Sequence, residues 1–174
     1  TGLDSVALTI TKDTLYTFSY ENDKGCGDQQ SIWFDYHPTP TIASISSALT
    51  ICNEDTVSIG FQTNGTIDWF SQAYQGSTVS VSPNQNTTYL AQALSAAGCV
   101  SAIDSVNITV NQLPLITLQD SNYVCVGLTE DLFPQISGNG GYQFAWSSGE
   151  STKDITIPDA TASYTFTVTD VNGC

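Results

Sequence analysis

Apolar and polar residues alternate with a period of two along most of this chain, in short runs closed by Gly, Pro, Asn and Asp. Val6, Leu8 and Ile10 form the first such run, and Tyr16, Phe18 and Tyr20 the second. Ile32, Phe34 and Tyr36 return after the polar turn 21–25, and Pro38 and Pro40 close the segment. The pattern resumes as an edge strand in two pieces, Ile42 to Ile45 and Ala48 to Ile51. Thr56 to Gln62, Ile67 to Phe70 with Trp69, Val79 with Val81, Tyr89 to Leu94, and Val106, Ile108 and Val110 follow. The same order begins again with Leu115 to Leu118, Tyr123 to Val126 and Leu132 to Ile136, where Pro134 predicts an edge or a bulge. Tyr142 to Trp146, Ile155 with Ile157, and Tyr164, Phe166 and Val168 complete it. Period-two alternation places one side of each run against a core, so every run predicts a strand; none shows a helical period.

The runs recur. The interval from Cys26 to Cys99 equals that from Cys52 to Cys125, and Cys99 to Cys174 is slightly longer. A repeat of about 73 residues can fold, but it buries less of its surface than a larger domain and needs reinforcement. A Tyr stands ten positions before the Cys of each Gly-Cys pair, at Tyr16, Tyr89 and Tyr164. The chain therefore divides into 1–40, the C-terminal half of a unit; 41–113, a complete unit; and 114–174, a unit without its last strand. Starting in mid-repeat and without an initiator Met, it is expected to be a segment of a longer chain. About seven short strands per unit, with Trp69 or Trp146 on the third and the Tyr opening the sixth, predict an all-β fold. Its architecture is a tandem array of immunoglobulin-like (PKD-like) β-sandwiches. Trp69, Trp146, Tyr16, Tyr89 and Tyr164 are the predicted structural core.

Five cysteines place the chain in an oxidising compartment. In a sandwich whose strands alternate in direction, Cys52 and Cys125 fall at one pole of a unit, and Cys26, Cys99 and Cys174 at the other. A six-residue strand spans about 20 Å, whereas a disulfide needs Cα atoms within about 7 Å. That topology favours Cys52 with Cys174, between neighbouring units. Cys99 then pairs with a cysteine upstream and Cys125 with one downstream. Pairing inside units, Cys52 with Cys99 and Cys125 with Cys174, is the other arrangement the spacing allows.

Composition narrows the partners. Three lysines and no arginine against 17 acidic residues, a net charge of −14, exclude a nucleic-acid or anionic-membrane surface. No apolar run reaches the roughly 18 residues of a membrane span. The only His, His37, sits beside Pro38 at a unit end. No nucleophile elbow, metalloprotease helix, phosphate loop or EF-hand frame occurs. The expectation is therefore no catalytic, cofactor or metal residues. Asp170-Val171-Asn172-Gly173 matches part of a calcium loop, the one Ca²⁺ candidate the sequence offers, and its plainer reading is a turn.

The run 140–149, G-G-Y-Q-F-A-W-S-S-G, followed by 164–174, Y-T-F-T-V-T-D-V-N-G-C, resembles the SprB-type repeat of giant Bacteroidota cell-surface adhesins. The middle unit, through Cys52, Trp69, Tyr89 and Gly98-Cys99, is similar to the PKD-like and Ig-like repeats of such proteins. The resemblance implies type IX export and a stalk or filament segment at the cell surface, extended for attachment. Its partners would be neighbouring repeats, with an unassigned surface polysaccharide or cell-surface ligand. One alternative is a spacer or carbohydrate-binding module of a secreted enzyme, with Trp33, Phe34 and Tyr36 as its aromatic platform. The other is a subunit of a self-assembling homo-oligomeric filament. The resemblance also singles out Asp-Ser/Thr-apolar triplets as O-glycan acceptors, at Ser5, Thr14, Thr56 and Ser105.

Overall fold

A computed structural model of the chain describes residues 6–46, 48–71, 73–118, 125, 127–158 and 162–174. Every element among them is a strand. The first two, β1 (Thr14–Glu21) and β2 (Gly27–Phe34), form an antiparallel hairpin.

The next seven strands build a two-sheet sandwich. They are β3 (Ile42–Ser44), β4 (Ala48–Cys52), β5 (Val57–Thr63), β6 (Thr66–Trp69), β7 (Thr78–Val81), β8 (Thr87–Leu94) and β9 (Asp104–Asn111). One sheet has the order β3-β5-β7 and the other β4-β9-β8-β6. The first strand is split, as its interrupted apolar pattern predicts: β3 pairs antiparallel with β5, and β4 crosses to pair parallel with β9. Asp104 on β9 clamps the split, because its carboxylate accepts the Ser44 N–H at 2.6 Å. Ile59, Phe61, Val81, Val106, Ile108 and Val110 alternate inward from both sheets around Trp69, where period-two patterning places them. Trp69 is buried with its indole N–H donated to the Gly76 carbonyl at 2.9 Å, so the polar atom of the largest core side chain is satisfied. Tyr89 is half-buried beside Tyr74, ring centres 5.8 Å apart; burial, then Tyr74, raises its pKa.

The remaining strands repeat part of this plan. β10 (Leu115–Thr117) pairs with β12 (Gln135–Ser137), β11 (Glu130–Leu132) with β14 (Ile155–Ile157), and β13 (Gln143–Trp146) with β15 (Phe166–Thr169). Pro134, fully buried, divides β11 from β12 because it has no N–H to give a ladder. Trp146, Ile155 and Ile157 form a second, smaller core with Leu132, Tyr164 and Phe166 against it. The Trp146 indole N–H reaches the Thr152 carbonyl at 2.9 Å, as its counterpart does in the larger unit.

Three expectations need correction or restriction. Val6, Leu8 and Ile10 are not in a strand, and Val6 is 73% exposed. Val79 and Val81, one repeat later, are held by β5, whereas among the described residues no strand of that kind lies against 6–10. Tyr164 precedes β15 rather than opening it. The run from Tyr123 to Val126 lies outside the described residues apart from Cys125.

Register identifies the β1–β2 hairpin with β8–β9. Tyr16 faces Ile32 as Tyr89 faces Val106. The buried Ala91, Ala93, Val106 and Ile108 thus correspond to Phe18, Tyr20, Ile32 and Phe34, of which Phe18 is 53% exposed. Phe61→Ala is expected to cost about 3–5 kcal/mol, the range for emptying a packed aromatic site. Phe18→Ala should stay within about 0.5 kcal/mol, as for an exposed side chain. Urea midpoints of the two variants measure both.

Candidate functional site at the cysteine turns

Cysteine is presented by two kinds of turn, each built the same way wherever it occurs. The first follows β1, β8 and β15. In it a polar residue four positions before the Cys closes a loop with the Cys backbone. Asn22, Ser95 and Asp170 donate their N–H to the carbonyls of Cys26, Cys99 and Cys174 at 2.9, 2.9 and 2.8 Å. Each accepts the N–H of the glycine before the cysteine, from Gly25, Gly98 and Gly173, at 3.0 Å. Each side chain then accepts the cysteine N–H at 3.0 Å, through Asn22 Oδ1, Ser95 Oγ or Asp170 Oδ1. The glycines have φ of 77°, 85° and 83°, a left-handed conformation that a Cβ would strain. Sequence reading finds the Gly-Cys pair but misses the capping residue. Its identity changes between Asn, Ser and Asp, and only the shared ability to accept a hydrogen bond links the three.

The second kind carries Cys52 and Cys125. Asp55 donates its N–H to the Cys52 carbonyl at 3.1 Å, and Leu128 to the Cys125 carbonyl at 3.1 Å. The third residue is left-handed in both, Glu54 at 75° and Gly127 at 85°. The Asp55 carboxylate also accepts the Cys52 N–H at 3.0 Å.

One cysteine of each kind is joined. Cys52 and Cys174 form a disulfide with Cα atoms 5.5 Å apart across 122 residues of sequence. Cys26, Cys99 and Cys125 are not bonded to another described cysteine. Pairing inside units, Cys52 with Cys99 and Cys125 with Cys174, is therefore not what the fold forms. The physical reason is the polarity of the sandwich. Cys52 lies in register with Asn111 at the end of β9, whereas Cys99 lies in the turn that feeds its start. An eight-residue strand separates those ends by more than about 20 Å. The disulfide sits where the chain leaves for the next unit, since Asn53 donates its N–H to the Asn111 carbonyl at 2.8 Å.

Asp170 is the buried acid of the site, 4% exposed. The Cys174 backbone N–H holds its carboxyl below the usual carboxylate range. Burial opposes this, and the Asn172 backbone and side chain and the Asn139 side chain add to it. Those N–H donors occupy the carboxylate of the loop considered for Ca²⁺. Among the described residues no three His, Cys, Asp or Glu side chains converge as a metal site.

The other sequence-selected residues are dispersed. His37 is exposed, its Nε2 3.3 Å from Asp35 Oδ2. Trp33 and Phe34 point to opposite faces of the hairpin: Trp33 is 59% exposed opposite Leu15, while Phe34 packs edge-on against Tyr16 at 5.7 Å. Alternation thus sets Trp33 apart from Phe34, and Tyr36 lies beyond the end of β2, exposed. Of the glycan candidates, Ser5 lies outside the described residues. Thr14 is half-buried, with its hydroxyl bonded to the Lys12 carbonyl; Thr56 is exposed and Ser105 half-buried.

Residues 38–111 match the family model described as Ig-like domain CHU_C associated, which spans less than half of the chain. No curated protein matches the sequence. The two-sheet topology of this segment is that of an immunoglobulin-like sandwich, similar to the domain that the family model describes.

The sign of the Asp170 effect gives a test. A carboxyl whose pKa is lowered by folding stabilises the fold above its unfolded value, about 4. That stabilisation is lost as pH falls through the lower folded value. Hydrogen exchange of the 172–174 amides, corrected for intrinsic rate, should accelerate below about pH 4. The Cys26 and Cys99 turns, capped by an amide and a hydroxyl, should not respond. Equal responses in all three turns would remove the carboxylate from the explanation. Asp170→Asn should keep the turn and abolish its pH dependence.

Proposed function

We propose that this chain is a structural stalk segment of a large, repetitive, secreted cell-surface adhesin, built to stay extended while an attachment is under load. The observation that carries this reading is the Cys52–Cys174 disulfide, which joins two separately cored units across 122 residues. A disulfide of this kind persists in an oxidising environment outside the cytosol. A binding or catalytic module has no need of a covalent bridge between poles of neighbouring units; a load-bearing array does. Tension entering at the N-terminal end and leaving at Cys174 runs along the chain only as far as Cys52 and there crosses the sulfur bridge. Strands β5 to β15 are then outside the load path. The high negative charge fits the same role, since like-charged units repel and keep a chain soluble and open. An exposed threonine such as Thr56 would fit O-glycans on such a stalk.

End-to-end pulling of single molecules tests the load path. At about 3.5 Å per residue, the non-reduced chain should yield no more than roughly 180 Å of contour length. Reductant should add roughly 430 Å from the released loop, on the same rise per residue. Full-length extension without reductant would refute the load-path reading. Images of the natural-length protein should show units in single file. A compact particle of repeats folded around a catalytic domain would support the enzyme-spacer alternative instead.

A further inference from the structure

The two kinds of cysteine turn are complementary, and only one pair is joined in the described residues. We infer that Cys99 and Cys125 are also half-cystines. Cys99 bonds to a Cys52-type turn that opens the repeat to which β1 and β2 belong, and Cys125 bonds to a Gly-Cys turn one repeat further on. This rests on the stalk reading above and gives it a specific cross-linking pattern.

Three observations at the junction before β3 point to that partner. First, the Cys99 turn has the same hydrogen bonds as the Cys174 turn, whose cysteine is bonded. Second, hairpin register makes His37 the equivalent of Asn111. The Asn111 carbonyl accepts an N–H from Asn53, the residue after Cys52. The His37 carbonyl instead has the Cys99 Sγ at 3.6 Å. The thiol therefore stands beside the acceptor that a docked Cys52-type turn would take. Third, a recess of about 490 Å³ lies there, bounded by His37, Pro38 and Pro40 on one side and Ser95, Ala96 and Ala97 on the other. It is walled by the Cys99 turn, the linker and Asn64 between β5 and β6. The Cys52 turn at the other junction is likewise held by a Gly-Cys turn, through the disulfide, and by the end of β9 that leads into its linker, through Asn111. Cys125 is exposed on the matching turn of the last unit.

Each new bond converts two thiols to a disulfide, with two electrons and two protons passing to an oxidised thiol–disulfide oxidoreductase outside the cytosol. The bonds interleave. Cys99 and Cys125 stand at the same spacing as Cys26 and Cys52, a little over a third of the repeat. The shortest covalent route along the array thus crosses only that short stretch of peptide between consecutive bridges, and two such routes run in parallel.

A non-reduced peptide map of the natural-length protein tests this, with iodoacetamide added before digestion. The Cys99 peptide should be joined to a cysteine of a preceding unit's opening turn, and the Cys125 peptide to a Gly-Cys turn that follows. Recovery of either cysteine alkylated, joined to Cys26, or joined to the other would overturn the inference. So would chain-to-chain dimers on a non-reducing denaturing gel that disappear on reduction. Pulling the same protein should release at most roughly 90 Å per step before reduction and roughly 250 Å per unit after it, at about 3.5 Å per residue. Free thiols in a protein that still images as a single file would remove the bridges and leave the stalk reading standing.

Discussion

A sandwich of about 73 residues has room for few fully buried side chains, and this shortage governs the chain more than any single contact. The β3–β9 sandwich meets it with Trp69, Phe61 and the inward residues of β9. Among the described residues the following unit's hydrophobic cluster is Trp146, Ile155 and Ile157, with Leu132, Tyr164 and Phe166 partly buried against it and Pro134 buried nearby in sequence. A core that small offsets little of the entropy lost on ordering the chain. The Cys52–Cys174 bridge acts on that deficit from the unfolded side. In the chain-entropy description, closing a loop of 122 residues is worth up to about 5 kcal/mol. The larger unit thus lends stability to the smaller one through a bond that neither can form alone.

The two cores fill the same space by different means. Strand pairing aligns Phe61 with Pro134, because Val57 faces Val81 as Glu130 faces Ile157. It also aligns Ala91 with Phe166, the residues opposite Trp69 and Trp146. Where one unit sets a large Phe61 against Trp69 at 5.1 Å and keeps Ala91 small, the other sets Phe166 against Trp146 at 4.3 Å and has Pro134 instead. The aromatic partner of the Trp moves from the opposite sheet to the neighbouring strand, so each unit keeps one Phe against its Trp, the kind of exchange packed cores tolerate. The indole N–H finds a loop carbonyl in both, so the polar requirement is retained while the apolar filling changes.

Much of this was legible because period-two alternation and repeat spacing report on faces and poles. The split first strand, the inward sets of β5 and β9 and the opposite poles of Cys52 and Cys99 follow from those signals. What alternation does not report is whether a strand has a partner. Val6, Leu8 and Ile10 carry the pattern of Val79 and Val81, but among the described residues no strand pairs with them as β5 pairs with β7. Nor does it report side-chain capping. Asn22, Ser95 and Asp170 share no residue type, and their equivalence emerges only from hydrogen bonds. Asp55 and Asp104 stand in sequence as parts of glycan triplets. In the fold both have structural roles: one binds the Cys52 turn and the other ties β3 to β9.

Junction mechanics follow from where the bridge lies. A lone peptide linker such as 112–114 is a pivot about which the next unit can swing in any direction. The disulfide adds a second attachment at the same pole, because Cys52 and Asn111 are neighbours in register. Two attachments leave rotation about the line joining them and oppose bending across it. Electrostatic repulsion cannot give that directionality: at physiological salt it decays over about 8 Å. It acts between surfaces and not along a chosen axis. Charge therefore acts between the two units without direction, while the position of the Cys52–Cys174 bridge decides which way their junction resists being bent.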